Sequence, residues 1–274
     1  MKKLGRLKEI LLPMLSALVA YSGGADSTFL LKVASDVLGN RVVAVTARSE
    51  TYPIRELEEA KRIAGKLRVK HVIIKTQELH NGKFTSNPPD RCYYCKKELF
   101  SKLWKIAKKF ELNYILDGSN YDDINDFRPG SRAGEELGVR SPLKEAGFTK
   151  DDIRILSRKM KLSTWDKPSA ACLASRFPYG DRITPTGLLR LEKAEESLRR
   201  LGVRQVRVRH HGNIARIEIS PADFQKLLSD RVSARVVKEI KRLGYDYVTL
   251  DIQGYRTGSM NDPLRRNTHS RKRK

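Results

Sequence analysis

The chain has 274 residues, 39% of them hydrophobic and 32% charged, which allows one large domain or a large and a small one and argues a soluble surface. With 55 Lys and Arg against 32 Asp and Glu, the formal net charge is +23. That surplus invites a nucleic-acid partner, and it equally fits the ion-pair surface of a thermophile. Three cysteines, an odd number, exclude a secreted disulfide framework.

Lys2, Lys3, Arg6 and Lys8 precede the apolar run from Ile10 to Leu15, a superficial likeness to a signal peptide. Cleavage there would remove the strand leading into the stretch described next, and the run is too short to span a bilayer. It reads as a helix broken at Pro13, followed by a strand from Leu15 to Ala20. A cytoplasmic protein is expected.

Tyr21-Ser22-Gly23-Gly24-Ala25-Asp26-Ser27-Thr28 then separates that strand from an amphipathic helix running to Leu38. Adjacent glycines let the backbone approach a ligand closely. The turn's N–H groups and the helix N-terminus offer positive partial charge to an anion such as phosphate, and the hydroxyls of Ser22 and Ser27 add donors. Asp26 repels phosphate unless a cation such as Mg²⁺ bridges them. A Gly-Gly turn with Ser and Asp is also an ordinary loop and cap, but the full string in a strand–loop–helix setting favours a nucleotide's phosphates with a metal. The Gly-Lys-Ser/Thr ending of a Walker A loop is missing, which argues against a P-loop kinase or GTPase. The string resembles the SGGxDS loop of the PP-loop ATP pyrophosphatases, which include the GMP, NAD and asparagine synthetases. That resemblance implies cleavage of ATP between the α and β phosphates, giving an adenylated substrate and pyrophosphate.

Strands and helices alternate beyond the loop: strand Arg41 to Ala47, helix Pro53 to Leu67, strand Lys70 to Lys75, helix Lys96 to Phe110 and strand Asn113 to Asp117. Alternation of this kind predicts an α/β fold, a parallel twisted sheet with helices on both faces. Ligands in such sheets sit at the carboxyl ends of strands, which groups Ser22 to Ser27 with Ala47-Arg48 and Asp117 to Asn120. A helix from Asp151 to Lys161 leads into an irregular stretch, Trp165 to Thr184.

A second unit starts near Thr184: helix Thr186 to Leu201, strands Arg204 to His210 and Asn213 to Ile219, helices Ala222 to Leu228 and Val232 to Leu243, and strand Asp246 to Asp251. The predicted organisation is a nucleotide domain over 1–183, a small C-terminal α+β domain over 184–260, read as a ferredoxin-like variant serving substrate binding or oligomerisation, and a basic tail over 261–274. The tail carries Arg265, Arg266, Arg271, Lys272, Arg273 and Lys274, a block suited to RNA or an acidic partner.

Cys92 and Cys95 form a CxxC pair near a helix start, and Cys172 lies far away in Ser169-Ala170-Ala171-Cys172. The pair fits a redox couple, half a zinc site, or part of an iron–sulfur site. Three thiolates on a cluster would leave one iron open to a substrate, whereas Cys172 alone also reads as a small buried hydrophobe.

The loop at Ser22, Arg91-Cys92-Tyr93-Tyr94-Cys95-Lys96, Asp117-Gly118-Ser119-Asn120, Ser175-Arg176-Phe177-Pro178-Tyr179-Gly180 and Gly254-Tyr255-Arg256-Thr257-Gly258 together resemble the LarE family. The likeness runs from about Leu15 to Met260. The resemblance implies ATP-dependent sulfur transfer in nickel-pincer cofactor synthesis, turning the carboxylates of pyridinium-3,5-biscarboxylic acid mononucleotide into thiocarboxylates. It implies ATP and Mg²⁺ at Ser22, Gly23, Gly24, Asp26 and Ser27, with Arg48 and Gly118 beside them, and catalytic roles for Asp26 and Cys172. Some members sacrifice the cysteine matching Cys172, leaving dehydroalanine. Others add a CxxC pair and hold a [4Fe-4S] cluster, here expected on Cys92, Cys95 and Cys172. Related proteins assemble into hexamers, so a homo-oligomer is expected.

Positive charge is needed for the substrate's carboxylates and phosphate, and Arg176, Arg207 and Arg209 are the candidates. Arg207 and Arg209 alternate along one strand and face one side, which also fits a solvated strand face. A tRNA-thiolating PP-loop enzyme is the second reading, carried by the charge but lacking the extra CxxC zinc modules that such enzymes often carry. A non-enzymatic adenine-nucleotide sensor is the third.

Overall fold

The computed structural model describes residues 2–125, 128–168 and 170–262. The chain divides into two compact units, Met1–Phe84 with Pro89–Ala170, and Thr85–Pro88 with Ala171–Lys274.

In the first unit, α1 (Lys2–Leu11) ends one residue before a 3₁₀ turn, Leu12–Met14, that carries Pro13. Then come β1 (Ala17–Ala20), α2 (Ala25–Leu38), β2 (Val42–Arg48), α3 (Ile54–Lys66), β3 (Lys70–Lys75), a short α4 (Gly82–Thr85), α5 (Arg91–Lys109) and β4 (Tyr114–Leu116). α6 (Pro129–Glu136), α7 (Pro142–Glu145) and α8 (Lys150–Lys159) complete it. The sheet order is β3-β2-β1-β4 and every pairing is parallel, so the expected α/β class holds. Alternate β1 residues serve opposite faces: Ala17 and Val19 join α1, α2, α3 and α8, and Leu18 joins α5 and α6. Connections through α2 and α3 step outward one way from β1, and the chain then crosses to β4 on the other side. β1 and β4 therefore flank the switch point, where the loops following both strands converge.

α5 starts five residues earlier than predicted and takes in the CxxC pair. Nothing from Arg91 to Cys95 breaks a helix, while Pro88-Pro89 prevents it from starting sooner. α6 escaped prediction because its two glycines weaken the pattern, although Pro129 at its first turn is a start signal. Those glycines have a packing reason. A Cβ at Gly130 would meet Lys96 Cγ at 3.0 Å, and one at Gly134 would meet Phe100 at 3.5 Å. α8 is capped as a box, with Thr149 Oγ1 accepting from Asp152 N–H and the Asp152 carboxylate accepting from Thr149 N–H.

The second unit contains α9 (Pro185–Arg200), β5 (Val206–His211), β6 (Ile214–Ile219), α10 (Phe224–Leu228), α11 (Asp230–Arg242) and β7 (Tyr247–Leu250). β5 and β6 form an antiparallel hairpin and β7 adds parallel to β6, giving the expected small α+β layer. Leu188, Leu191, Ala194 and Leu198 of α9, Val236 and Ile240 of α11, and Val206, Val208, Ala215, Ile217 and Ile219 make its core. The predicted boundary at 183/184 moves to 170/171. Residues 171–183 are bound into the second unit by Gly180 N–H to Asn87 O (3.0 Å), Ile183 N–H to Thr85 O (2.8 Å) and an ion pair from Arg176 to α9. The basic tail lies outside the described residues from 263 onward. Among the described residues, no helix is long and apolar enough to cross a membrane.

Candidate functional site

β1 releases the chain after Tyr21, whose N–H still donates to Val45 O (2.9 Å). Gly23 turns with φ +64°, and a Cβ there would sit 2.9 Å from Ala60 Cβ, so glycine is required on both counts. Gly24 is the N-cap of α2 and brings no side-chain cap, leaving the first-turn N–H groups for another acceptor. Ser22 Oγ and Ser27 Oγ lie 3.1 Å apart, and Ser22 N–H donates to Ser27 Oγ (3.3 Å).

The loop after β4 closes on the same helix end. A Cβ on Gly118 would lie 3.1 Å from Ser27 N, so this glycine allows two backbones to touch. Asn120, fully buried, donates from Nδ2 to Asp26 Oδ2 (3.2 Å). Burial pushes the Asp26 carboxyl above the usual range and the nearby Asp123 pushes it further, against the hydrogen bond from Asn120. A carboxylate so placed favours a cation beside it. Arg48 ends β2 and is exposed, at the same carboxyl edge of the sheet. Asn120 and Asp123 were not singled out from sequence. Asn120 closes the Asp-Gly-Ser-Asn string, which was the available signal.

Cys92 and Cys95 lie three residues apart in the first turns of α5, hence on neighbouring positions of one helix face, Cys92 exposed and Cys95 half-buried. None of the three cysteines is in a disulfide. Among the described residues, no three His, Cys, Asp or Glu side chains gather into a metal-holding group.

In the second unit, half-buried Cys172 precedes a 3₁₀ turn, Leu173–Arg176. Its carbonyl accepts from Ser175 Oγ (2.8 Å) and Arg176 Nη1 (2.9 Å). Arg176 is 1% exposed, and Glu195 takes its Nε (2.8 Å) and Nη2 (3.1 Å). Glu195 also accepts from Arg199 Nη2 (2.6 Å) and Val208 N–H (3.2 Å). Burial alone would raise the Glu195 carboxyl, but Arg176, Arg199 and Arg207 hold it at about 2. Arg209 donates to Glu218 (2.7 Å), Ser175 O (3.1 Å) and Ser259 Oγ (3.1 Å). Arg207 donates to Val206 O (2.8 Å) and lies over the Tyr255 ring; burial first, then Arg176, pushes its guanidinium down to about 10.

Arg207 and Arg209 are 6% and 5% exposed, so the solvated strand face is not what forms. The structure gathers Arg176, Arg207 and Arg209 with Arg199 and Arg216 around Glu195 and Glu218, with Asp251 also 3.7 Å from Arg216, so the guanidiniums outnumber these carboxylates. Surplus positive charge in a mostly dry cluster suits an anion. Gly254, at φ +69°, lets the chain press on β6, since a Cβ would meet Ile219 O at 2.9 Å. That contact delivers Tyr255 and Ser259 to the cluster. Glu195 and Glu218 were missed from sequence, and their signal was an acid interrupting an apolar helix stripe and an acid within Ile217-Glu218-Ile219.

Residues 16–87 match the family model described as queuosine biosynthesis protein QueC, a span that holds the phosphate loop and the first three strands. An uncharacterized protein of Synechocystis is 45% identical over 262 residues, 96% of this chain and 98% of its own length. The pyridinium-3,5-bisthiocarboxylic acid mononucleotide synthase of Lactiplantibacillus plantarum is 42% identical over 249 residues, 90% of this chain and 89% of its own. The chain belongs to the LarE family. An uncharacterized protein of Methanocaldococcus jannaschii is 31% identical over 94% of the chain. Whereas the QueC match ends at residue 87, these likenesses to LarE and its relatives cover nine-tenths or more of the chain and so take in both units.

Proposed function

We propose that the chain is an ATP-dependent sulfur transferase that converts the carboxylates of pyridinium-3,5-biscarboxylic acid mononucleotide into thiocarboxylates. The observation that carries this is the uncapped N-terminus of α2 under the Gly23-Gly24 turn, in a chain 42% identical to a synthase of the bisthiocarboxylic product. Ser22, Gly23, Gly24 and Ser27 hold the polyphosphate of ATP, with Gly118 and Arg48 at the same edge. Asp26 faces the Mg²⁺ that accompanies it. A substrate carboxylate oxygen bonds to the α-phosphorus as the bond to the bridging oxygen breaks, and pyrophosphate leaves. A sulfur nucleophile then forms the C–S bond, and the C–O bond to AMP breaks. Arg207 and Arg209 supply charge for the substrate's carboxylates and phosphate, and Arg176, whose donors are taken by Glu195 and the Ala171 and Cys172 carbonyls, adds its charge to the cluster from behind. This fits a cluster with more guanidiniums than carboxylates.

The donor chemistry of Cys92 and Cys95, two thiols on one helix face and outside any disulfide, fits half of an iron–sulfur site. Cys172 is the remaining thiol of the chain, and a [4Fe-4S] cluster on these three would supply inorganic sulfur. The cell compartment proposed is the cytoplasm and the assembly a homo-oligomer, with no RNA required.

The test is ATP-dependent thiocarboxylate formation followed by mass spectrometry, with intact protein mass read before and after turnover. Anaerobic reconstitution should give about four irons per chain. Loss of one H₂S from Cys172 during turnover would replace the cluster route with sacrificial donation, and failure to release pyrophosphate with the acid mononucleotide would overturn the activity itself.

A further inference from the structure

A trans peptide is planar, so its C=O and N–H point in opposite directions. Three consecutive carbonyls of the phosphate loop are each held by a side chain. Thr46 Oγ1 donates to Tyr21 O (2.7 Å), Tyr52 OH donates to Ser22 O (2.7 Å), and Lys167 Nζ donates to Gly23 O (3.0 Å). The N–H groups of Ser22, Gly23 and Gly24 are therefore turned the other way. Ser22 N–H meets Ser27 Oγ, and those of Gly23 and Gly24 have no partner among the described residues. Successive N–H groups turned to one side form a concave site for an anion.

We infer that Thr46, Tyr52 and Lys167 are positioning residues that aim the loop's N–H groups at a polyphosphate, and that Lys167 matters most. The inference rests on the phosphate-loop reading given above. Lys167 reaches Gly23 across 144 residues of sequence, and its side chain is 10% exposed. Its ammonium also pairs with Glu56 (2.7 Å) and Glu59 (2.8 Å) on α3, the helix whose Ala60 backs Gly23. Two carboxylates behind a phosphate site would repel the ligand if left bare. One ammonium both neutralises them and turns the Gly23–Gly24 peptide. Thr46 is 1% exposed and sits in β2, so its contribution is rigid and inseparable from the strand. Lys167 and Tyr52 are the separable members.

The experiment is equilibrium binding of ATP, pyrophosphate and adenosine to the full chain and to Lys167→Met, Lys167→Arg and Tyr52→Phe, with thermal unfolding of each. Lys167→Met should weaken ATP and pyrophosphate by ~10- to 100-fold, the range of a charged hydrogen bond, and leave adenosine affinity unchanged. Lys167→Arg should recover most of that loss. Tyr52→Phe keeps all charges and should weaken pyrophosphate by ~3- to 10-fold. A purely structural role would instead move adenosine and pyrophosphate together, and that result overturns the inference. So does unchanged pyrophosphate affinity in Lys167→Met and Tyr52→Phe while the unsubstituted chain binds it. If the unsubstituted chain binds neither ATP nor pyrophosphate, the phosphate-loop reading falls as well. Should Lys167→Met fail to fold, Tyr52→Phe carries the decision.

Discussion

Arg176 and Glu195 form a two-pronged ion pair in which neither side chain reaches water, at 2% and 0% exposure. Nε and Nη2 meet separate oxygens of one carboxylate, the geometry in which a guanidinium bonds most strongly. Glu195→Ala would leave Arg176 buried without its counter-charge. The expected loss is ~3–5 kcal/mol of stability in the second unit, read by urea unfolding. A loss below ~1 kcal/mol would mean that water or another acid replaces Glu195.

Gly23→Ala should damage the loop twice over, since the added methyl meets Ala60 at 2.9 Å and the backbone sits at φ +64°. The left-handed conformation alone costs ~1–2 kcal/mol for a residue with a side chain. Melting temperature should fall and pyrophosphate binding should be lost. Retention of both would show that the turn can reshape around a Cβ.

Asp26→Asn separates chemistry from folding. Burial and Asp123 disfavour the Asp26 carboxylate in the folded chain, so removing its charge should leave melting unchanged or slightly raised. Mg²⁺-dependent release of pyrophosphate should nevertheless drop by ~100-fold or more, the scale of losing a metal-positioning group. Parallel losses of melting temperature and turnover would reduce Asp26 to a structural residue.

Stability should respond to acid at the start of α8. Lys3 first, then the N–H and hydroxyl of Thr149, hold the Asp152 carboxyl at about 2, below its ordinary value of ~3.9. A depressed carboxyl stabilises the fold above its unfolded value, and that contribution disappears as pH falls from ~4 towards 2. Comparing Asp152→Ala with the unsubstituted chain at pH 6 and pH 2 should show a difference of ~1 kcal/mol at the higher pH and almost none at the lower. A difference that persists at pH 2 would place the effect in packing.

Local periodicity carried most of the fold. β3 was read at its observed bounds, and the helix after the glycine turn was read to its observed end at Leu38. Strand order was not legible, because pairing β1 between β2 and β4 is a contact between distant segments. The arginines show the same limit. Alternating charges on β5 look solvated when read alone, and their burial depends on Glu195 from α9 and Glu218 from β6. Lys167 gave no local sign at all, because its partners Gly23, Glu56 and Glu59 lie more than a hundred residues away. Backbone signals mark where a ligand's phosphates go, whereas the side chains that steer that backbone are set by the tertiary fold.

Thr85–Pro88 belongs to the second unit although first-unit segments flank it on both sides. No single protease nick can therefore release the second unit whole. A gene split after Ala170 would give a first fragment still carrying Asn87, whose amide meets Pro178 O at 2.6 Å, 91 residues ahead. On the ribosome these four residues emerge long before Pro178, Gly180 and Ile183 exist to receive them. The second unit is thus completed last and only with a piece made early, so the two fragments should rebuild it only when supplied together.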